Sequence, residues 1–151
     1  LVLTWRPGDL EGGTQAFADT VQGLPGVASM RLDRLDDVVV AALVDAAVAR
    51  LDGRAVADGD GATVLLDPAW AEKSLAALAE CVRRHGALDE VTIAVDGSAV
   101  AISPLAEGVV AIALGDDLKD FGAAVGTRVL RAMGTEIQPD DERLVVRLPQ
   151  A

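Results

Sequence analysis

Apolar and polar positions along the chain change their period repeatedly, and each change marks an element. From Val38 to Leu51, Val39, Leu43, Ala46, Ala47 and Leu51 recur at helical spacing. This predicts an amphipathic helix, with Asp36 and Asp37 placed at its positive N-terminal end. A second helix is predicted from Asp67-Pro68 to Gly86: Asp caps, Pro takes the first turn, and Trp70, Leu75, Leu78 and Val82 line one broad face. A third runs from Gly122 to Met133 and stops at Gly134. Between the helices the pattern shortens to β runs. Ala62 to Leu66 is a compact strand entered by a turn at Asp58-Gly59-Asp60-Gly61. Glu90 to Val95 and Ala99 to Ser103 form a hairpin about Asp96-Gly97, and Glu136 to Gln138 pairs with Leu144 to Leu148 across Pro139-Asp140-Asp141-Glu142. Val109 to Leu114 is apolar enough for a strand or a collapsed loop. Upstream, Leu1 to Trp5 and Val27 to Leu35 read as strands and Thr14 to Gln22 as a helix, separated by Pro- and Gly-bearing turns.

From Val38 onward the order is helix, strand, helix, hairpin, loop, helix, hairpin. Antiparallel strands interleaved with a few helices predict a two-layer α/β sandwich, with a mixed, largely antiparallel sheet covered by helices. Residues 36–151 form this domain. Residues 1–35 are a strand-helix-strand extension, either a small ferredoxin-like regulatory unit or extra elements of the same sheet.

Composition narrows the partners. The net charge of −11 argues against nucleic acid and against an anionic membrane, since both are held by clustered Lys and Arg. A single cysteine, Cys81, makes no internal disulfide and supplies no structural set of thiolates for zinc, which fits a reducing cytoplasm. No apolar run approaches the roughly 20 residues that span a bilayer, so no membrane insertion is expected. The Ala, Val, Asp, Arg and Gly bias suggests a GC-rich bacterial source, and the missing initiator Met suggests a piece of a longer protein.

Local sequence and element order over residues 36–149 resemble the ATP-binding domain of histidine kinases, in the GHKL or Bergerat-fold family shared with gyrases, Hsp90-type chaperones and MutL. Asp67-Pro68-Ala69-Trp70 leading to Ser74 through Gly86 resembles the helix carrying the family's asparagine box. Val91 to Ser103 resembles the hairpin entering the aspartate box, Gly122 to Gly134 the helix behind the glycine-rich lid, and Arg143 to Pro149 the last strand.

The resemblance implies a nucleotide pocket whose remnant is Ala77, Glu80, Cys81, Pro104, Gly108, Gly122 and Gly126. In the family an Asn on the long helix ligates Mg²⁺; here the two Asn positions hold Ala77 and Cys81, and a neutral thiol is a poor ligand for that hard cation. Glu80 matches the acid that precedes the Asn. The family's Asp-x-Gly-x-Gly turn, whose Asp accepts the adenine amine, is replaced by Pro104-Leu105-Ala106-Glu107-Gly108. Only Gly108 survives, and an unpaired amine there would cost roughly 1–3 kcal/mol. In the lid, Asp116, Asp117 and Asp120 would repel phosphate, with Lys119 the single base; Gly122 and Gly126 remain of the glycine cluster, where packing is the plainer use for them. His85, at a helix end between Arg84 and Gly86, is read as a C-terminal cap and dipole partner, not as a phosphoacceptor.

Other constellations lead nowhere. Asp58-Gly59-Asp60-Gly61 lacks calcium-loop spacing and a closing Glu. His85 pairs with no nucleophile. The pairs Asp36-Asp37, Asp116-Asp117 and Asp140-Asp141 read as solvated caps, and Arg83-Arg84 as a solvated helix face. The resulting expectation is a non-catalytic regulatory or protein-interaction domain of bacterial signalling, a pseudokinase with no cofactor and no metal, acting on a signalling protein or on itself as a homodimer or part of a larger chain. Two alternatives stand beside it: a divergent ATP-binding kinase domain that uses ATP and Mg²⁺, and a small-ligand sensor built on a ferredoxin-like N-terminal half.

Overall fold

A computed structural model describes residues 36–150, with side chains from Val38 onward; the expectations for residues 1–35 lie outside the described residues. The elements are β1 (Asp36–Val39), α1 (Val40–Ala49), β2 (Ala55–Gly61), β3 (Thr63–Leu66), α2 (Pro68–His85), β4 (Val91–Gly97), β5 (Ala99–Ser103), α3 (Val110–Ala113), α4 (Phe121–Ala132), β6 (Glu136–Asp140) and β7 (Arg143–Arg147). Five strands form one sheet in the order β2-β4-β5-β7-β6. Only β2 and β4 run parallel; the other neighbours are antiparallel. The sheet is therefore mixed and largely antiparallel, with helices packed on it, as the pattern predicts.

Alternation sets which face is covered. In β4, Val91, Ile93 and Val95 are buried while Thr92, Ala94 and Asp96 are exposed. Val100 and Ile102 of β5 and Leu144 and Val146 of β7 join the same aliphatic core. From the helices, Leu43, Val44 and Ala47 of α1, Leu75, Leu78 and Val82 of α2, and Val129 and Leu130 of α4 close over it. A period of two on the sheet thus meets a period of 3.6 on the helices.

Three expectations are corrected. The helix expected from Val38 begins at Val40, because the β-branched pair Val38 and Val39 is drawn into β1, which pairs antiparallel with β3 from Asp36↔Leu66 to Val39↔Thr63. Asp36 and Asp37 therefore lie in a strand, and the first turn of α1 holds no acid. The run Asp58-Gly59-Asp60-Gly61 is not a turn: it is the second half of β2, in register with Ala94 to Gly97 of β4. Its glycines are where the backbone needs them. A Cβ on Gly59 would lie 2.1 Å from the Val95 carbonyl oxygen, and one on Gly61 would lie 2.6 Å from the Val40 Cβ. Last, Val109 to Leu114 is neither strand nor loop but a 3-10 turn (Glu107–Val109) running into α3.

The long helix starts as predicted. Asp67 Oδ1 accepts a 3.1 Å bond from the Trp70 amide, Pro68 needs no donor in the first turn, and Gly86 closes the end. The β4–β5 hairpin turns one residue later than expected, at Gly97-Ser98, since Asp96 pairs with Ala99.

One buried group stands out. Thr135 is 4% exposed, and its hydroxyl finds no hydrogen-bond partner among the described residues. The near-isosteric Thr135→Val is expected to raise stability by about 1 kcal/mol in urea denaturation, because a buried unpaired hydroxyl costs at least that much. A loss of stability instead would mean the hydroxyl is paired.

Candidate functional site

The seam between α2 and α4 gathers most of the residues the sequence singles out. Along α2, Ser74, Ala77, Cys81 and His85 recur every three or four residues and so fall on one flank. Opposite them, α4 presents small residues. A Cβ on Gly126 would lie 3.2 Å from the Ser74 carbonyl oxygen and 3.3 Å from its Cα, so a side chain there would press on the α2 backbone. A Cβ on Gly122 would reach the Ala77 methyl at 3.9 Å. Thr127 fastens α4 from the other side, its hydroxyl donating to the Ala113 carbonyl at 2.8 Å.

Asp120 is the hub of this seam. As N-cap of α4, its Oδ1 accepts from the Ala123 amide at 3.0 Å. Its Oδ2 takes a hydrogen bond from Arg84 Nη2 and lies 3.2 Å from His85 Nε2. Burial pushes the Asp120 carboxyl up, but the Ala123 amide, the Arg84 guanidinium and His85 together outweigh it and hold the group below its ordinary value. Cys81 is fully buried beside it, and burial first, then the Asp120 charge, push the thiol up to about 12. The ligand atoms of Cys81, His85 and Asp120 all lie within 4.8 Å of one another.

Glu80 points elsewhere. Its carboxylate is forked by Arg83, from Nε at 2.9 Å and Nη2 at 2.7 Å, with Arg54 Nη1 at 3.8 Å. The Arg83 hydrogen bonds hold it below the ordinary Glu value despite partial burial. Glu80 therefore sits on a different flank from Cys81, its neighbour in sequence.

Pro104 and Gly108 do not join the seam either. After β5 the chain is pinned where the Leu105 amide donates to the Glu142 carbonyl at 2.7 Å, which buries Leu105 and leaves Pro104 exposed. Pro104 borders two open grooves, one with Ser103, Asp141, Glu142 and Arg143, the other with Gly86, Leu88, Leu105, Ala106 and Glu142. Gly108 is exposed and has open space around it. Of the seven singled-out residues, the structure thus brings Ala77, Cys81, Gly122 and Gly126 together, and sets Glu80, Pro104 and Gly108 apart.

No protein-family model and no curated protein matches the chain. Solved structures do. The ATP-binding domain of PrrB from Mycobacterium tuberculosis superposes with a TM-score of 0.61 at 20% identity, over 79% of this chain and 99% of that one. The histidine kinase AdeS of Acinetobacter baumannii superposes with a TM-score of 0.56 at 17% identity, over 80% of this chain and 69% of that one. The cytoplasmic segment of histidine kinase QseC does so at 0.57 and 11% identity, with both chains fully covered. The fold is that of a histidine kinase ATP-binding domain.

Within this histidine kinase-like fold, sequence reasoning passed over the role of Asp120. It was grouped with Asp116 and Asp117 as a repelling charge, although Asp120-Phe121-Gly122-Ala123 is an N-cap pattern three residues ahead of the amide it caps. The other missed signal is Cys81-x-x-x-His85, an i, i+4 pair that places a thiol and an imidazole on one helical flank. His85 meets a carboxylate from α4 across the seam, and no cap bond from its side chain to the end of α2 is present.

Proposed function

We propose that this domain is a non-catalytic regulatory or protein-interaction module of bacterial signalling, a histidine kinase-like ATPase fold that has given up ATP and Mg²⁺. The observation that carries the reading is Cys81: fully buried, uncharged, and pressed into the α2–α4 seam beside a carboxylate that is already engaged. A neutral thiol gives Mg²⁺ no oxygen, and the Ala77 methyl gives none either. Pro104 has no side-chain acceptor for an adenine amine. The approach of Gly126 to Ser74 packs the two helices on each other, and Asp120 already occupies the Arg84 guanidinium there, which leaves phosphate no free cation at the seam among the described residues. The residues present do not fit a magnesium-nucleotide.

The divergent-kinase alternative leans on Glu80. A carboxylate doubly hydrogen-bonded to a guanidinium and held low is a weak base and is turned away from the seam. His85 is three-quarters buried with Nε2 turned onto Asp120, so that nitrogen is not presented to an incoming phosphoryl group.

The interaction half of the reading is supported by apolar side chains at the start of α4. Phe121 is 77% exposed, Leu118 64%, and Val125, one turn after Phe121, 36%. Large exposed apolar side chains so close together mark contact surfaces, with a signalling protein or a second copy as the partner. No described helix is long and apolar enough to cross a membrane; a cytoplasmic setting belongs to the proposal.

Nucleotide is the ligand to test, because the similar PrrB domain is described as ATP-binding and the similar kinase ShkA as a complex with AMPPNP. Calorimetric titration with ATP, with and without Mg²⁺, is expected to give no saturable heat and no shift in Tm. Micromolar or tighter binding would overturn the proposal and favour the kinase alternative.

A further inference from the structure

The seam holds the chain's single cysteine and its single histidine, together with a buried carboxylate. We propose that Cys81, His85 and Asp120 form a three-ligand site for a thiophilic divalent cation of the zinc class, placed between the C-terminal half of α2 and the cap of α4. The inference does not depend on whether nucleotide binds.

The donor set is the first argument. Thiolate, imidazole and carboxylate are the three side-chain types zinc takes, and a three-ligand site leaves a fourth position for solvent. Geometry is the second. Tetrahedral zinc ligands stand about 3.5 Å apart, and here Nε2 and Oδ2 are already 3.2 Å apart while the ligand atoms of the three residues all lie within 4.8 Å of one another. The third is support. Cys81 and His85 are one helical turn apart on the longest described helix, and Asp120 is fixed through Oδ1 by the Ala123 amide, which leaves Oδ2 directed at the cluster. Ligands held by regular elements need little rearrangement to bind.

Binding replaces existing contacts in a balanced way. The metal bonds to Sγ, Nε2 and Oδ2. The Cys81 proton leaves to solvent, the His85 proton resides on Nδ1, and the Nε2–Oδ2 contact becomes a bridge through the ion. Arg84, whose side chain is 56% exposed, swings from Oδ2 into water. Its positive charge opposes the metal, so it acts as a competitor for Asp120. Mg²⁺, which prefers six oxygens, does not compete.

The test uses the untagged 151-residue chain, stripped with chelator and titrated with Co²⁺, and with Zn²⁺ in competition with a chromophoric chelator. One equivalent is expected to bind, and Co²⁺ is expected to show a near-ultraviolet thiolate charge-transfer band. Cys81→Ser should abolish the band. His85→Gln and Asp120→Asn should each weaken Zn²⁺ binding roughly tenfold or more, while Arg84→Gln should tighten it several-fold. Far-ultraviolet circular dichroism checks that each variant is folded; if one is not, the band in the unmutated protein decides alone. Absence of saturable Zn²⁺ binding, Co²⁺ bound without the thiolate band, or binding untouched by both Cys81→Ser and His85→Gln would each overturn the site.

Discussion

Gly59→Ala is expected to lower folding stability by about 3 kcal/mol, and Tm by roughly 6–12 °C. Two effects act at once. Gly59 has φ +107°, a conformation that side chains rarely adopt, and its added Cβ would stand 2.1 Å from the Val95 carbonyl oxygen, inside any tolerable contact. Neither partner can yield cheaply, because Gly59 and Val95 are register partners in the parallel β2–β4 pair and Val95 is part of the core. Gly53 separates the two effects. It has φ +79° with nothing within 4 Å of its added Cβ, so Gly53→Ala carries only the conformational cost, about 1 kcal/mol. Equal losses for the two variants in urea denaturation would show that the Val95 contact is not what demands glycine at position 59.

That same stretch shows why part of the fold was hidden in the sequence. Asp58-Gly59-Asp60-Gly61 has the composition of a turn, and local chemistry alone favours one. What makes it a strand is β4, more than thirty residues later, whose backbone pairs with it and whose Val95 carbonyl excludes a side chain. The start of α1 is hidden for a related reason: Val39 fits the helical stripe, but β3 pairs with it and with Val38. By contrast α2 was legible, because its cap, its proline and its closing glycine are local and agree with the apolar face. The two hairpins are legible as pairs but not in their turns: the first turns at Gly97-Ser98, and in the closing one Pro139 and Asp140 belong to β6, opposite Leu144 and Arg143, so that the turn narrows to Asp141-Glu142. The candidate site was legible in its parts only. Cys81 stood out by residue type and by the family resemblance, whereas Asp120 acquires its role by meeting Arg84 and His85, 36 and 35 positions away, across a helix seam. A contact of that kind leaves no local periodicity to read.

Asp120→Ala, assayed in metal-free protein, tests that seam directly and is expected to cost about 3 kcal/mol. It removes the N-cap of α4, leaves the amide of the fully buried Ala123 without its acceptor, and strips Arg84 and His85 of their shared partner. Asp120→Asn separates cap from charge: its side-chain oxygen can still accept from Ala123, so a loss of only about 1 kcal/mol is expected at neutral pH. The residual difference has a defined pH dependence. The Asp120 carboxyl in the folded protein titrates below its ordinary value, although burial alone would raise it. A depressed carboxylate binds fewer protons when folded than when unfolded, so its stabilisation is complete above the unfolded value and disappears as pH falls through the folded one. The stability gap between the unmutated protein and Asp120→Asn should therefore be widest near neutrality and close in acid. A gap that stays constant down the acid limb would mean the charge on Asp120 contributes nothing, and that Arg84 and His85 are held against it by packing alone.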